Sequence, residues 1–215
     1  MTSPPSLYRI LRLANAVVFA AGLALAFDHS VAAALGRFEG GHHWATGRRV
    51  LVLVDRTGDP AWHDATRRAA EVWNRVAGGT GLRLRWETGT GPCEADGPRI
   101  GFCLARQADL GDLEHADRQG VARVLLGRSH TAGAVVELCR DCRLDDARRR
   151  VIAAHEVGHV LGLPHSSRER SVMHALGGTE APDAVDRQAL RRLYDHVDGE
   201  EDCGVLDLEV GALCF

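Results

Sequence analysis

No lysine occurs in this chain: all 26 basic residues are arginine. Together with the abundant alanine and glycine, that absence reads as the coding bias of a GC-rich, bacterial-type genome rather than as a functional signal. Neither sign of charge dominates, since the formal net charge is -3, and this removes any general pull toward nucleic acid or an anionic membrane surface. The run Arg148-Arg149-Arg150 is accordingly read as a solvated helix face and not as a nucleic-acid patch. Internal repeats and low-complexity tracts are also missing, which excludes solenoids and disordered arrays. What is present is a globular composition, 45% hydrophobic and 26% charged over 215 residues, enough for one domain with terminal extras.

A long apolar run is lacking too. The longest, Leu13 to Phe27 behind Arg9 and Arg12, is short of the roughly 20 residues a bilayer span needs but suits a secretory signal. Ala24-Leu25-Ala26 or Ala32-Ala33-Ala34 would serve a signal peptidase, and retention as a signal anchor stays open. Residues 1–27 are therefore expected to be a signal peptide or anchor, 28–47 a linker, 48–198 the folded domain and 199–215 a cysteine-containing tail. The protein is expected outside the cell, as a monomer, with no membrane contact beyond that segment. Six cysteines fit an oxidising compartment: Cys93, Cys103, Cys139, Cys142, Cys203 and Cys214. Pairing neighbours joins Cys93 to Cys103 and Cys203 to Cys214. That leaves Cys139 and Cys142 as a further disulfide candidate, with a redox pair or half of a zinc site completed by the tail as alternatives.

Along the chain, Arg49 to Val54 is a nearly continuous apolar run, as in a strand covered on both faces. Asp59 and Pro60 announce a helix with apolar residues Trp62, Ala65, Ala69, Val72, Trp73 and Val76, halted at Gly78-Gly79. Leu82 to Trp86 alternates as a half-buried strand, and Ile100 to Leu104 reads as another. Residues 105–119 look loop-like; Val121–Leu126 and Ala132–Leu138 follow as strands. A helix is expected over 144–162 and a last one from Pro182-Asp183, with Val185, Ala189, Leu190, Leu193 and Tyr194 on its apolar face. One strand, a helix, four strands and two more helices make a mixed α/β (α+β) layer structure.

The stretch HEVGHVLGLPH, His155 to His165, carries the chemistry. Residues four apart share a helix face, so His155 and His159 can aim both imidazoles at one ion. Glu156 stands beside the pair, placed for acid–base work rather than ligation. A zinc that keeps a water in its fourth position needs a third protein ligand. His165 is out of reach along a continuing helix, but Gly162 can adopt a left-handed conformation that ends the helix, and Pro164 forbids its continuation.

H-E-x-x-H-x-x-G-x-x-H followed by a methionine turn resembles the signature of the metzincin zinc peptidases. Met173, within Ser171-Val172-Met173-His174, stands where such a turn places its methionine. Ser166, the Ser-Val-Met-His turn, the order of elements upstream and the final helix ending in Leu193-Tyr194 are most similar to the matrixin branch. The resemblance extends over roughly residues 48–196. It implies a twisted mixed five-stranded sheet, one catalytic Zn2+ held by His155, His159 and His165, Glu156 as general base, and a protein or peptide substrate extended along the strand near Val121–Leu126. Residues from about His174 to Pro182 would wall the pocket for the side chain that follows the cut. No cysteine lies between the apolar segment and the first strand, so a cysteine-capped latent form is not expected; a minimal bacterial relative is. Structural calcium or a second zinc lacks support: Asp112, Glu114, His115, Asp117 and His130 are read as solvated loop residues. His29, His42, His43, His63, His174 and His196 are read as surface or loop residues as well. Rival readings are an exported zinc-binding module that does not cut, a structural or interaction role with surface histidines, and a zinc hydrolase of non-peptide amides or esters.

Overall fold

Five strands form one sheet in the order β2-β1-β3-β5-β4. The computed structural model describes residues 42–46, 50–111, 117–127 and 130–195, all within the unit Phe38–Phe215. The elements are β1 (Val50–Asp55), α1 (Pro60–Ala77), β2 (Arg83–Thr88), β3 (Arg99–Ala105), the short α2 (Gln107–Leu110), β4 (Gly120–Leu126), β5 (Thr131–Cys139), α3 (Asp146–Val160) and α4 (Ala184–Tyr194). Each expected strand and long helix is present, within a residue or two at its ends. The mixed sheet is parallel from β2 through β5, and only β4 runs antiparallel, at the edge beside β5.

The two long helices pack on each other, α1 lying over β1 and β2, and α3 over β4 and β5. Leu51 and Leu53 of β1 enter the core under them, while Val52 and Val54 are buried on the other face; hence the unbroken apolar run. Asp59 caps α1 by accepting from the Ala61 N–H, and Asp145 caps α3 by accepting from the Arg148 N–H. All four tryptophans find a partner for the indole N–H, which lets such large rings be buried. Trp62 donates to the Cys139 carbonyl (3.2 Å), Trp73 to the Ala154 carbonyl (2.7 Å) and Trp86 to the Thr66 hydroxyl (3.1 Å).

Trp44 is the one that revises the boundary drawn from sequence. It is fully buried, and its indole donates to the Val160 carbonyl at the end of α3 (2.8 Å), while its backbone N–H donates to the Tyr194 hydroxyl (3.3 Å). The His43 carbonyl accepts from Thr131 N–H (2.8 Å), and the His43 ring, also buried, lies 5.1 Å from His130 and 5.2 Å from Tyr194. Residues 42–46 are therefore part of the domain, not of a linker, and His43 is a core residue. Polar neighbours hid this: a lone tryptophan among glycine and histidine has no periodicity to reveal its burial.

Two further expectations change. On α4 the buried face is Asp186, Leu190 and Tyr194, with Leu193 partly buried; Val185 and Ala189 are exposed. The arginine run is not a solvated face either. Arg149 pairs with Asp146 (2.9 Å) and stacks over Trp62; Arg150 pairs with Glu180 (2.8 Å); Arg148 bonds Gln119 and the Leu176 carbonyl. Cys93–Cys103 and Cys139–Cys142 are disulfides, so the second motif is closed on itself. Cys203 and Cys214, with the tail from 199, lie outside the described residues, as do Asp112, Glu114, His115, His29 and His196 and the whole segment 1–41.

Candidate metal centre and active site

Helix α3 stops because its last turn is tied off. Leu163 N–H donates to the Gly158 carbonyl (3.0 Å) and Gly162 N–H to the His159 carbonyl (2.9 Å), the paired bonds of a Schellman ending. Gly162 sits at φ +100°, and a Cβ there would also collide with the His42 carbonyl. No other residue suits this position. The chain then doubles back, and Ser166 N–H donates to the Met173 carbonyl (2.8 Å), which sets His165 over the helix.

As a result the Nε2 of His159 lies 3.0 Å from that of His155 and 3.2 Å from that of His165. Tetrahedral zinc with Zn–N near 2.05 Å separates its ligands by about 3.3 Å, so this donor set fits such an ion. The Nδ1 atoms point away: that of His155 meets the Val172 carbonyl at 2.8 Å, and that of His159 the Leu163 carbonyl at 2.9 Å. A carbonyl only accepts, so each Nδ1 carries the proton and each Nε2 presents a lone pair to the centre. Burial, reinforced by the neighbouring histidines, holds His155 down to about 4 and His159 to about 3. Both rings are therefore neutral, the state that binds metal.

Glu156 is buried beside the triad. Burial pushes its carboxyl up to about 8, against the Ala122 N–H that donates to it and the charge of Arg118. The start of β4 lies directly on this side chain: a Cβ on Gly120 would come within 2.7 Å of Ile152 and 3.1 Å of the Glu156 carboxylate. Gly120 and Ala122 are thus the edge-strand residues that meet the glutamate, and spacing in the sequence does not mark them.

Met173 is buried against α3, with its sulfur against Gly158, where any Cβ would overlap it. The turn that carries it is pinned from α4 by Asp186, a buried carboxylate that accepts from the Ser171 hydroxyl (2.6 Å), Val172 N–H (3.1 Å) and Asp183 N–H (3.0 Å). Ser171 in turn accepts from Met173 N–H (3.0 Å). One carboxylate therefore positions the very residue whose carbonyl orients His155. Its sequence signal, Asp183-x-x-Asp186, reads only as a helix cap; its second task needs the turn brought close. Asp186→Ala should leave three donors without an acceptor and cost about 2–3 kcal/mol, seen as a lower denaturation midpoint. Asp186→Asn, which retains one acceptor oxygen, should lose less.

Of the remaining sequence candidates, Asp117 is exposed and His130 packs beside His43. Among the described residues the other metal-capable group is Cys139, Asp141 and Cys142, whose sulfurs are joined to each other. No helix among the described residues is long and apolar enough to cross a membrane.

Known proteins resemble parts of this chain. Over 55 residues the chain is 44% identical to matrix metalloproteinase-21 of Mus musculus and, over the same length, 42% identical to that of Homo sapiens. Each match covers 24% of this chain, and the chain spans only 10% of those relatives' length. The solved structure of myroilysin aligns with a TM-score of 0.46 at 11% identity, over 75% of this chain and 99% of that one. A family model described as Matrixin matches residues 23–195, most of the chain, and the chain therefore belongs to the matrixin family of metallopeptidases.

Proposed function

We propose that this protein is an exported zinc-dependent endopeptidase that hydrolyses peptide bonds in extended substrates. The observation that carries the reading is the convergence of three Nε2 atoms, with the Nδ1 protons of His155 and His159 already committed to backbone carbonyls. Zinc held by His155, His159 and His165 would supply Lewis acidity, making water acidic enough to deprotonate near neutrality and polarising the scissile carbonyl. Glu156 takes the proton from that water and passes it to the leaving amine. The Ala122 N–H holds this carboxylate in place, so the substrate-binding strand and the base share a contact. The outer edge of β4, the last strand of the sheet among the described residues, receives the substrate main chain as an added strand. Met173 and Asp186 keep the floor of the site rigid.

Organisation follows the same reading: a signal peptide or anchor over 1–27, a tether to about residue 41, the peptidase domain from His42 to 198, and a tail over 199–215. Two disulfides among the described residues suit an oxidising compartment.

The test is a diverse peptide library incubated with the purified protein, with and without a zinc chelator, and cleavage mapped by mass spectrometry. Cleavage that the chelator removes and zinc restores is the expected result. Stoichiometric zinc with no cleavage would instead favour a non-cutting zinc module.

A further inference from the structure

Arg148 lies on α3 seven residues before His155, about 10 Å down the helix axis. Its Nε donates to the Gln119 side-chain oxygen (2.7 Å), just ahead of β4, and its Nη1 to the Leu176 carbonyl (2.9 Å), in the segment after Met173. Leu176 belongs to the segment that the family resemblance expects to wall the pocket after the cut, and Gln119 leads into the strand proposed to receive the substrate. The guanidinium spans the gap between them. Gly177, at φ +75°, is the residue that lets the wall pass so close, since a Cβ there would overlap the Arg148 guanidinium and press on Val151 at 3.1 Å. Val151, one turn nearer the metal centre, is only partly buried. The wall is fixed from behind by Arg150 on Glu180 and by Arg168 on Asp183, so it holds its distance from α3.

Within the run from 148 to 150, Arg148 is the arginine without an acidic partner among the described residues. Both its side-chain acceptors are neutral oxygens, and among the described residues no carboxylate lies within ion-pair distance of it. The nearby Asp145 is occupied by the Arg148 backbone N–H, Asp146 pairs with Arg149, and Glu180 pairs with Arg150. Both arginines beside it on α3, Arg149 and Arg150, have an acid. A partly buried guanidinium left with neutral partners retains an unfulfilled preference for an anion.

Resting on the endopeptidase reading, we propose that Arg148 determines specificity at the pocket for the residue following the cut, and that it selects an acidic side chain there, glutamate ahead of aspartate. A glutamate entering beside the metal centre and running along α3 past Val151 meets the guanidinium with a carboxylate. The shorter aspartate reaches less far, and an apolar side chain leaves the charge unanswered. This device differs from a purely apolar pocket, because it adds a charge-assisted bond at the far end.

The experiment uses quenched peptides that differ only in the residue after the cut: Glu, Asp, Gln or Leu. It is paired with calorimetric binding of the cleavage product that begins with that residue. For the wild type, kcat/KM and product affinity should both favour Glu over Gln by about tenfold, one charge-assisted bond. Arg148→Gln should erase that ratio with zinc content unchanged, whereas Arg148→Lys should retain part of it. A merely structural role would make the two variants equally poor on all four peptides, and that outcome overturns the proposal. So does a wild type that cleaves Leu or Gln peptides as well as Glu, a result that stands whether or not the variants fold. Absence of chelator-sensitive cleavage of any peptide would remove the endopeptidase reading and the proposal together, and is distinguished by that totality.

Discussion

Glu156→Gln is expected to reduce peptide hydrolysis by about a thousandfold, within the range that positioned acid–base groups contribute, while zinc remains bound at one equivalent. The two effects separate because His155, His159 and His165 supply the converging nitrogens and Glu156 is not among them. Glutamine retains the shape and can still accept from the Ala122 N–H, but it cannot take a proton. Turnover by this variant above a hundredth of the wild-type rate would overturn the assigned role. The same substitution has a signature in the chelated protein. With its carboxyl raised to about 8 by burial, folded Glu156 keeps a proton that the unfolded chain releases near its ordinary value. The folded state then binds more protons between those limits, so stability is fullest below the ordinary carboxyl range and falls as pH rises toward about 8. In Glu156→Gln that component of the pH dependence should vanish, and denaturant midpoints measured across pH 4 to 9 will show it.

Trp44→Ala should destabilise the domain by about 3–5 kcal/mol, a large share of the roughly 5–15 kcal/mol that holds a domain folded. The melting temperature should drop by on the order of 10 °C. The ring is fully buried, and its N–H caps the Val160 carbonyl at the end of the helix that carries His155 and His159. Removing it opens a cavity and leaves that carbonyl without its donor. Trp44→Phe fills most of the cavity without restoring the bond, so its loss should be intermediate. Because the damage lands at the end of α3, the alanine variant should also release zinc to a competing chelator sooner. An unchanged melting temperature for Trp44→Ala would mean that residues 42–46 are not part of the domain.

Much of the candidate site is legible in the sequence. His155, His159 and Glu156 share a helical repeat, and Gly162 and Pro164 announce its end, because these are local relations between neighbours in the chain. The strands showed for the same reason: apolar alternation or continuity reports which faces meet the core. Misreadings occurred where a residue's partner is distant. Trp44 finds its place only when α3 and α4 are adjacent, 116 and 150 residues further on. Arg148, Arg149 and Arg150 look solvated until Gln119, Trp62 and Glu180 come to meet them.

By itself, the sequence determined which three histidines converge, which glutamate stands beside them and the layered α/β class, since each follows from spacing of 2, 3.6 or a turn. Only the tertiary structure decided where the domain begins, what holds the methionine turn, and that Arg148 bridges Gln119 and the Leu176 carbonyl. Those depend on side chains meeting across long loops, and a burial or a missing counter-charge is a property of the neighbours rather than of the residue.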